Sequence, residues 1–364
     1  MIPISYLFFT PLIVSIILIL VLKPCALKLG FIDHPCARKQ HDHPTPPIGG
    51  IAIYLSSVSA LWFYGINIPH LMAFTLGLTL LTIVGAIDDH KEINVKIRLT
   101  AQIFAALIMT ELADIKITHL GDLLGTGPID LHSYATVLTV FAVVGGINAF
   151  NMIDGIDGLC SGSAFVSISL VALLALFFNN ALLLNISLIF MGCIVAFLLF
   201  NLPIFGRKKA AIFLGDSGST LLGYVVCWLI ISASQAQEPL ITPTLVLWLI
   251  AIPLYDSICI MLRRLLKGQS PFAADREHFH HLLPLKGISV GNTLIICLAL
   301  SAVFSIAALV ASLIFDVKDS ILFYLFLICF AGFCWYMQSH FSMDEMVEKG
   351  PTKSLLNKLT DTKN

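Results

Sequence analysis

The sequence predicts an all-α integral membrane protein, a polytopic bundle of about eleven transmembrane helices with its N-terminus outside and its C-terminus cytoplasmic. Three observations predict it. Of 364 residues, 58% are hydrophobic and only 12% are charged, and the mean hydropathy is +0.92. A soluble domain carries roughly 25% charged residues, so this chain cannot cover a water-facing surface. Apolar runs of span length recur along the chain. When those runs alternate across a bilayer, all but Lys116 and Lys318 of the 21 basic residues fall on one side. The excess of Lys and Arg marks that side as cytoplasmic.

A helix rises about 1.5 Å per residue through an apolar layer about 30 Å thick, so about 20 apolar residues make a span. The runs 4–22, 48–64, 71–87, 97–113, 134–150, 158–178, 181–200, 219–234, 240–262, 293–315 and 320–337 qualify. The first has neither a basic leader nor a small-residue cleavage site, and reads as a retained span. All but Cys25 and Cys36 of the nine cysteines lie in apolar runs, and no C-x-x-C pair occurs. They read as packing residues rather than a disulfide framework or a thiolate metal site. No internal repeat is visible.

The polar clusters fall in four different inside loops: Asp88-Asp89, NAFNMIDGIDG (148–158), FLGDSGST (213–220) and DREHFHH (275–281). Merely solubilising clusters would be shared with the outside loops, which are plain. Asp88 and Asp89 end a span, either as a solvated helix end or as a reactive carboxylate pair. Asp154 and Asp157, three apart, share one helical face, and Gly155 and Gly158 allow close backbone approach. An ionised carboxylate at mid-membrane costs about 2.5–3.5 kcal/mol on insertion scales, so acids beside apolar runs usually serve a function. A polar helix cap is the plainer alternative.

Asp216 lies where GDSGST opens a span. Free N–H groups at a helix start attract an anion, and a neighbouring carboxylate can hold a hard cation. Mg²⁺ favours one or two carboxylates plus phosphate oxygens, so this loop reads as a Mg²⁺–diphosphate site, with an ordinary N-cap as the alternative. His278, His280 and His281 sit among Arg263, Arg264, Lys267 and Arg276, a set suited to phosphate oxygens. The Arg264 fork can clamp them bidentately. Zinc is disfavoured because no cysteine is near; contact with anionic lipid heads is the bland reading. Asp256 lies deeper in its span and receives no role from sequence.

Taken in order, RKQHDHPTPPIGG, IDDH, NAFNMIDGIDG, FLGDSGS and DREHFHH resemble the polyprenyl-phosphate N-acetylhexosamine-1-phosphate transferase superfamily, over nearly the whole chain to about residue 337. The H-x-H-H motif differs from the three consecutive histidines of the muramoyl-pentapeptide branch. The phrases INAFNMIDGIDGL and SPFAADREHFHHLL are most similar to the bacterial undecaprenyl-phosphate N-acetylglucosamine-1-phosphate branch. The resemblance implies UDP-N-acetylglucosamine as donor, undecaprenyl phosphate as acceptor and UMP as second product. It further implies the bacterial inner membrane, a cytoplasmic active site and the start of O-antigen or enterobacterial common antigen synthesis. The implied cofactor is Mg²⁺, with Mn²⁺ as a substitute. No nucleic-acid partner is expected, and a homodimer is left open. Residues 1–337 then form one transmembrane catalytic domain, and 338–364 a polar cytoplasmic tail.

Residue by residue, the resemblance assigns Asp88 and Asp89 to the catalytic acidic pair and Asp216 to the metal, with Asp88 as a second ligand. It assigns Asp154, Gly155 and Asp157 to the donor loop, with Asp157 reaching the base, and Asn201 and Phe213 to the nucleoside pocket. His278, His280 and His281 match the histidine motif, His278 as the catalytic member. Lys39 is the basic residue of the first loop, with Arg38 as competitor. Direct attack by the lipid phosphate and a covalent intermediate on Asp89 both remain open. So does a rival class, a transporter, for which intramembrane acids would line an ion path.

Overall fold

The computed structural model describes residues 3–33, 44–66, 71–204, 206, 207, 209–271 and 277–349, with side chains to residue 340. Among them every regular element is helical. In chain order they are α1 (Ile4–Leu29), α2 (Gly49–Phe63), α3 (Leu71–Lys91), α4 (Val95–Leu107), α5 (Ala135–Met152), α6 (Leu159–Phe177) and α7 (Ala181–Asn201). Then follow α8 (Gly215–Gln235), α9 (Pro243–Leu249), α10 (Ala251–Leu266), α11 (Phe279–Leu285), α12 (Val290–Leu313) and α13 (Asp319–Lys349). A π-helical turn, Ile108–Leu112, extends α4.

Eight of these helices are long and apolar enough to cross a membrane, and α9 with α10 makes a ninth candidate as a broken pair bent by 81°. The runs 48–64 and 97–113 fall in the shorter α2 and in α4 with its π turn. The break inside 240–262 has a covalent cause. Pro253 has no N–H, so the carbonyl of Leu249 loses its helical partner. The Ser167 hydroxyl donates to that carbonyl at 2.7 Å, and the Ser305 hydroxyl donates to the Trp248 carbonyl at 3.0 Å. A break at membrane depth is tolerated where neighbouring side chains satisfy the freed groups in this way.

Helix α8 is the hub. The apolar window of α8 is 94% buried, against 22% for α1 and α13, and α2, α3, α5 and α6 pack around it. Small residues permit the close approach: a Cβ on Gly50 would overlap the Gly218 backbone, and one on Gly85 would overlap that of Ser217. The outer helices present Phe9, Ile13 and Ile17 of α1 and Ile295, Val303 and Ile328 of α12 and α13 to their surroundings. Such a face is stable against acyl chains and a liability in water. Exposed Trp62, Phe63, Tyr134, Phe177, Phe178 and Phe315 gather at the ends of α2, α5, α6 and α12, as aromatic rings do at a membrane interface. Helix α13 continues past the boundary expected at 337, to Lys349.

Candidate active site

Antiparallel helices bring distant chain segments to one end of a bundle. Here the C-terminal ends of α3, α5 and α10 meet the N-terminal ends of α4 and α8 around a cavity of about 310 Å³. Asp88, Gly155, Asp216, Arg264, His278, His280 and His281 all line it, as do Arg98, Asn148 and Asn151. Four sequence clusters therefore converge, although nothing in their spacing required it.

The neighbours Asp88 and Asp89 have different tasks. Successive helical residues point about 100° apart. Asp88, buried, faces the cavity; its Oδ2 pairs with Arg98 Nη1 at 2.8 Å and its Oδ1 accepts from Ile93 N at 2.7 Å. Asp89 turns toward α8 and accepts from the backbone N–H groups of Asp216 at 2.7 Å and Ser217 at 3.2 Å. The free N–H groups of the α8 N-terminus are taken by a side chain of the protein itself. The Asp89 carboxyl group accepts from them and occupies the place expected for a phosphate. Gly215 is required beside it: its φ is +76°, and an added Cβ would meet Asp89 Oδ1 at 2.8 Å and Oδ2 closer still. A strap of the PPIGG segment completes the start of α8. Gly49 and Gly50 donate to the carbonyls of Phe213 and Leu214 at 2.9 and 3.0 Å, and Phe213 N donates to Pro46 O at 3.0 Å.

So fixed, Asp216 is aimed into the cavity. The Asn151 amide donates to its Oδ1 at 2.5 Å and to the Ser219 hydroxyl at 2.8 Å. Arg98 lies 3.8 Å from Asp216 Oδ2 while pairing with Asp88, so one guanidinium stands between two carboxylates. Asn148 donates to Gln102 Oε1 at 2.6 Å, tying α5 to α4. In the sequence Arg98 is one inside charge among many and Asn148 and Asn151 carry no assigned role; the cost of amides at the end of an apolar run is the signal that marks them.

The histidine segment closes the opposite wall. Asp256, 1% exposed, accepts from His278 Nδ1 at 2.7 Å and from Phe279 N at 2.8 Å. The deep acid without a sequence role thus holds the first histidine and the start of α11. His278 and His280 stack with ring centroids 5.3 Å apart. Burial pushes the His280 imidazole down to about 3, so it is neutral at physiological pH. Its Nε2 is buried, has no hydrogen-bond partner among the described residues, and lies against Gly155, where a Cβ would overlap it. Arg264 is buried and donates to the Pro271 carbonyl at 2.6 Å. Glu277 bridges Arg263 and Lys267, each at 3.0 Å.

Other expected site residues lie off the cavity lining. Asp154 is half-buried between α5 and α6; burial, then the carboxylates of Asp216, Asp89 and Asp157, hold its carboxyl well above the usual range. Asn201 is buried and its amide donates to the Ile212 carbonyl at 3.0 Å, tethering the segment before α8. Phe213 contributes its backbone to the PPIGG strap. Lys39, Arg38 and Arg276 lie outside the described residues. Among the described residues two donor sets could hold a cation. Asp88 and Asp216 offer hard carboxylate oxygens beside open cavity volume, the donor type Mg²⁺ selects. Asp256, His278 and His280 place ligand atoms within 4.8 Å of one another, but His278 Nδ1 is already bonded to Asp256 and the two rings are nearly parallel, at 19°.

Comparison with known proteins bears on this geometry. Residues 71–234 match the family described as glycosyl transferase family 4. The chain is 34% identical over 314 residues to the undecaprenyl-phosphate alpha-N-acetylglucosaminyl 1-phosphate transferase of Escherichia coli K12, covering 86% of this chain and 85% of that one. It is 34% identical over 322 residues to the protein of the same description from Yersinia pestis, covering 88% of each chain. It is 35% identical over 320 residues to that of Salmonella typhi, covering 87% of each.

Proposed function

The chain belongs to glycosyl transferase family 4 and is a membrane-embedded glycosyl-1-phosphate transferase, and on that premise we propose that it transfers N-acetylglucosamine 1-phosphate from UDP-N-acetylglucosamine to undecaprenyl phosphate. The products are undecaprenyl-diphospho-N-acetylglucosamine and UMP. The observation that carries the reading is the convergence of Asp88, Asp216, Arg98, Arg264 and the histidine segment on one cavity.

In this reaction an oxygen of the lipid phosphate attacks the β-phosphorus of the donor. The bond between that phosphorus and the oxygen bridging to the α-phosphorus breaks, and UMP leaves with the bridging oxygen. Two anions must meet, so neutralising charge is the main task. Arg98 and Arg264 line the cavity and hold phosphate oxygens. Asp88 and Asp216 are the residues that would hold Mg²⁺, which supplies charge stabilisation of the diphosphate and the leaving UMP. Asn151 orients the Asp216 carboxylate, and Asp89 fixes the turn that carries it. The acceptor phosphate has a second pKa of about 6, so it is mostly deprotonated at neutral pH and needs little base catalysis. Direct attack is favoured over a covalent aspartyl intermediate, because the Asp89 carboxylate is engaged by two backbone N–H groups and does not line the cavity. Asp154, Gly155 and Asp157, beside the histidine segment, receive the uridine and sugar.

The same reading makes the eleven apolar runs eleven crossings, with the N-terminus outside, and places the cavity at the cytoplasmic face of a bacterial inner membrane. The basic residues around the site support that orientation. We assign the reaction to the start of O-antigen or enterobacterial common antigen-type assembly, and hold a homodimer as compatible with the exposed outer helices. The test is donor choice: purified protein, undecaprenyl phosphate, and UDP-N-acetylglucosamine against UDP-MurNAc-pentapeptide, with and without EDTA. Lipid product from the first donor only, abolished by EDTA and restored by Mg²⁺, is expected. Product from the second donor alone overturns the substrate assignment.

A further inference from the structure

We propose that Asp256 is a positioning residue of the transfer reaction, which fixes the tautomer of His278 so that Nε2, as a hydrogen-bond acceptor, is the nitrogen presented to the bound substrate. The inference rests on the proposed function and deepens it. An intramembrane acid is costly and calls for a partner, and Asp256 has two. Both its oxygens act as acceptors, Oδ1 from Phe279 N at 2.8 Å and Oδ2 against His278 Nδ1 at 2.7 Å. A carboxylate only accepts, so the proton of that second bond sits on Nδ1. His278 lines the cavity and its other ring nitrogen is Nε2. The partner of one imidazole nitrogen decides what the other can do. The backbone N–H of Phe279, next to His278, is pinned by the same carboxylate, so ring orientation and main-chain position are set together.

A merely structural Asp256 would anchor the start of α11 and nothing more. Asp256→Asn separates the two roles. The amide oxygen can still accept from Phe279 N, while the amide N–H₂ now faces His278 Nδ1 and favours the opposite tautomer. Acting through His278, Asp256 has an effect only while His278 is present. The experiment is a double-mutant cycle on kcat/KM for N-acetylglucosamine 1-phosphate transfer, with Asp256→Asn, His278→Ala and the pair, alongside melting temperature in detergent. Asp256→Asn is expected to lower kcat at least about tenfold, the scale of an outer partner that orients a reactive histidine, with acceptor KM within about twofold of wild type. The double variant should match His278→Ala within about twofold. Multiplicative losses in the double variant overturn the proposal and leave the α11 anchor as the role of Asp256.

A second pair of variants leaves Asp256 untouched and keeps the idea falsifiable if Asp256→Asn does not fold. The glutamine amide places a polar atom near the Nε2 position, and asparagine places one near Nδ1. His278→Gln should therefore retain at least about tenfold more kcat than His278→Asn. Equal losses, or the reverse order, overturn the proposal. A wild-type protein that moves no sugar phosphate overturns the proposed function itself, and the positioning role with it; an active wild type with an additive cycle overturns only the positioning role.

Discussion

Replacing Gly215 with alanine attacks the joint between α3 and α8 without touching a cavity-lining side chain. Two costs follow from the geometry. The backbone at 215 has φ +76°, and an L-residue in that region costs about 1–2 kcal/mol. The new Cβ would also overlap the Asp89 carboxylate, which must leave one or both of its backbone donors at Asp216 and Ser217. Leaving one buried N–H without its acceptor costs about 1–3 kcal/mol. With the strain this gives about 2–5 kcal/mol of destabilisation at the start of α8. Because Asp216 rides on that turn, a displacement of about 1 Å is expected to cost on the order of 100-fold in kcat/KM. Gly30→Ala is the internal control: its φ is +71° and none of the described residues lies within 4 Å of its added Cβ, so it carries the strain of about 1–2 kcal/mol and leaves transfer unchanged. The assays are detergent melting curves and initial rates of lipid-product formation. Equal effects of the two substitutions on both assays would refute the Asp89 clamp.

Asp216→Asn should abolish transfer while expression and membrane insertion persist; near wild-type rates at saturating Mg²⁺ would remove it from the metal site. Arg264→Lys should lower kcat/KM for UDP-N-acetylglucosamine at least about tenfold, about 1.4 kcal/mol of transition-state binding, because the ammonium cannot reproduce the planar fork. An unchanged donor response with a raised undecaprenyl phosphate requirement would reverse the assignment of donor and acceptor sides. His280 sets a pH window for stability. Its folded pKa of about 3 lies below the unfolded value of 6.5, so the unfolded chain binds the proton first on acidification. The contribution of neutral His280 is therefore present above pH 6.5 and lost as pH falls toward 3, by about 2 kcal/mol at pH 5. The wild-type melting temperature should drop between pH 7 and 5, and His280→Gln should flatten part of that drop; parallel curves would place the histidine in water. In a cysteine-free background, single cysteines at His119 and Gln237 should react with an impermeant thiol reagent from outside, and one at Gln338 only from inside. Cytoplasmic labelling at either outer position would scatter the motifs across both faces.

The cavity walls were legible where burial is costly. Asp88, Asp216 and the histidines stand out because charge beside apolar runs needs a reason. What stayed hidden depends on contacts between distant segments. Asp88 and Asp89 are equivalent in sequence, and only the position of α8 tells which faces the cavity and which binds the backbone of Asp216. Asp256 and His278 are 22 positions apart, and only the contact between α10 and the start of α11 joins them. Asn201 matches a nucleoside-pocket residue in the resemblance, and only the fold shows that its amide N–H also tethers the Ile212 carbonyl. The broken span was written in Pro253, but apolar length alone reads through a proline, and only the fold shows that Ser167 takes up the Leu249 carbonyl the proline frees.

The central claim is that this cavity moves a sugar phosphate rather than a sugar. Donor labelled with ³²P in the β-phosphate tests it directly, with purified protein and undecaprenyl phosphate. The account predicts that the label enters the lipid product and that the released nucleotide is unlabelled UMP. Label recovered in released UDP, with unlabelled lipid product, would contradict it.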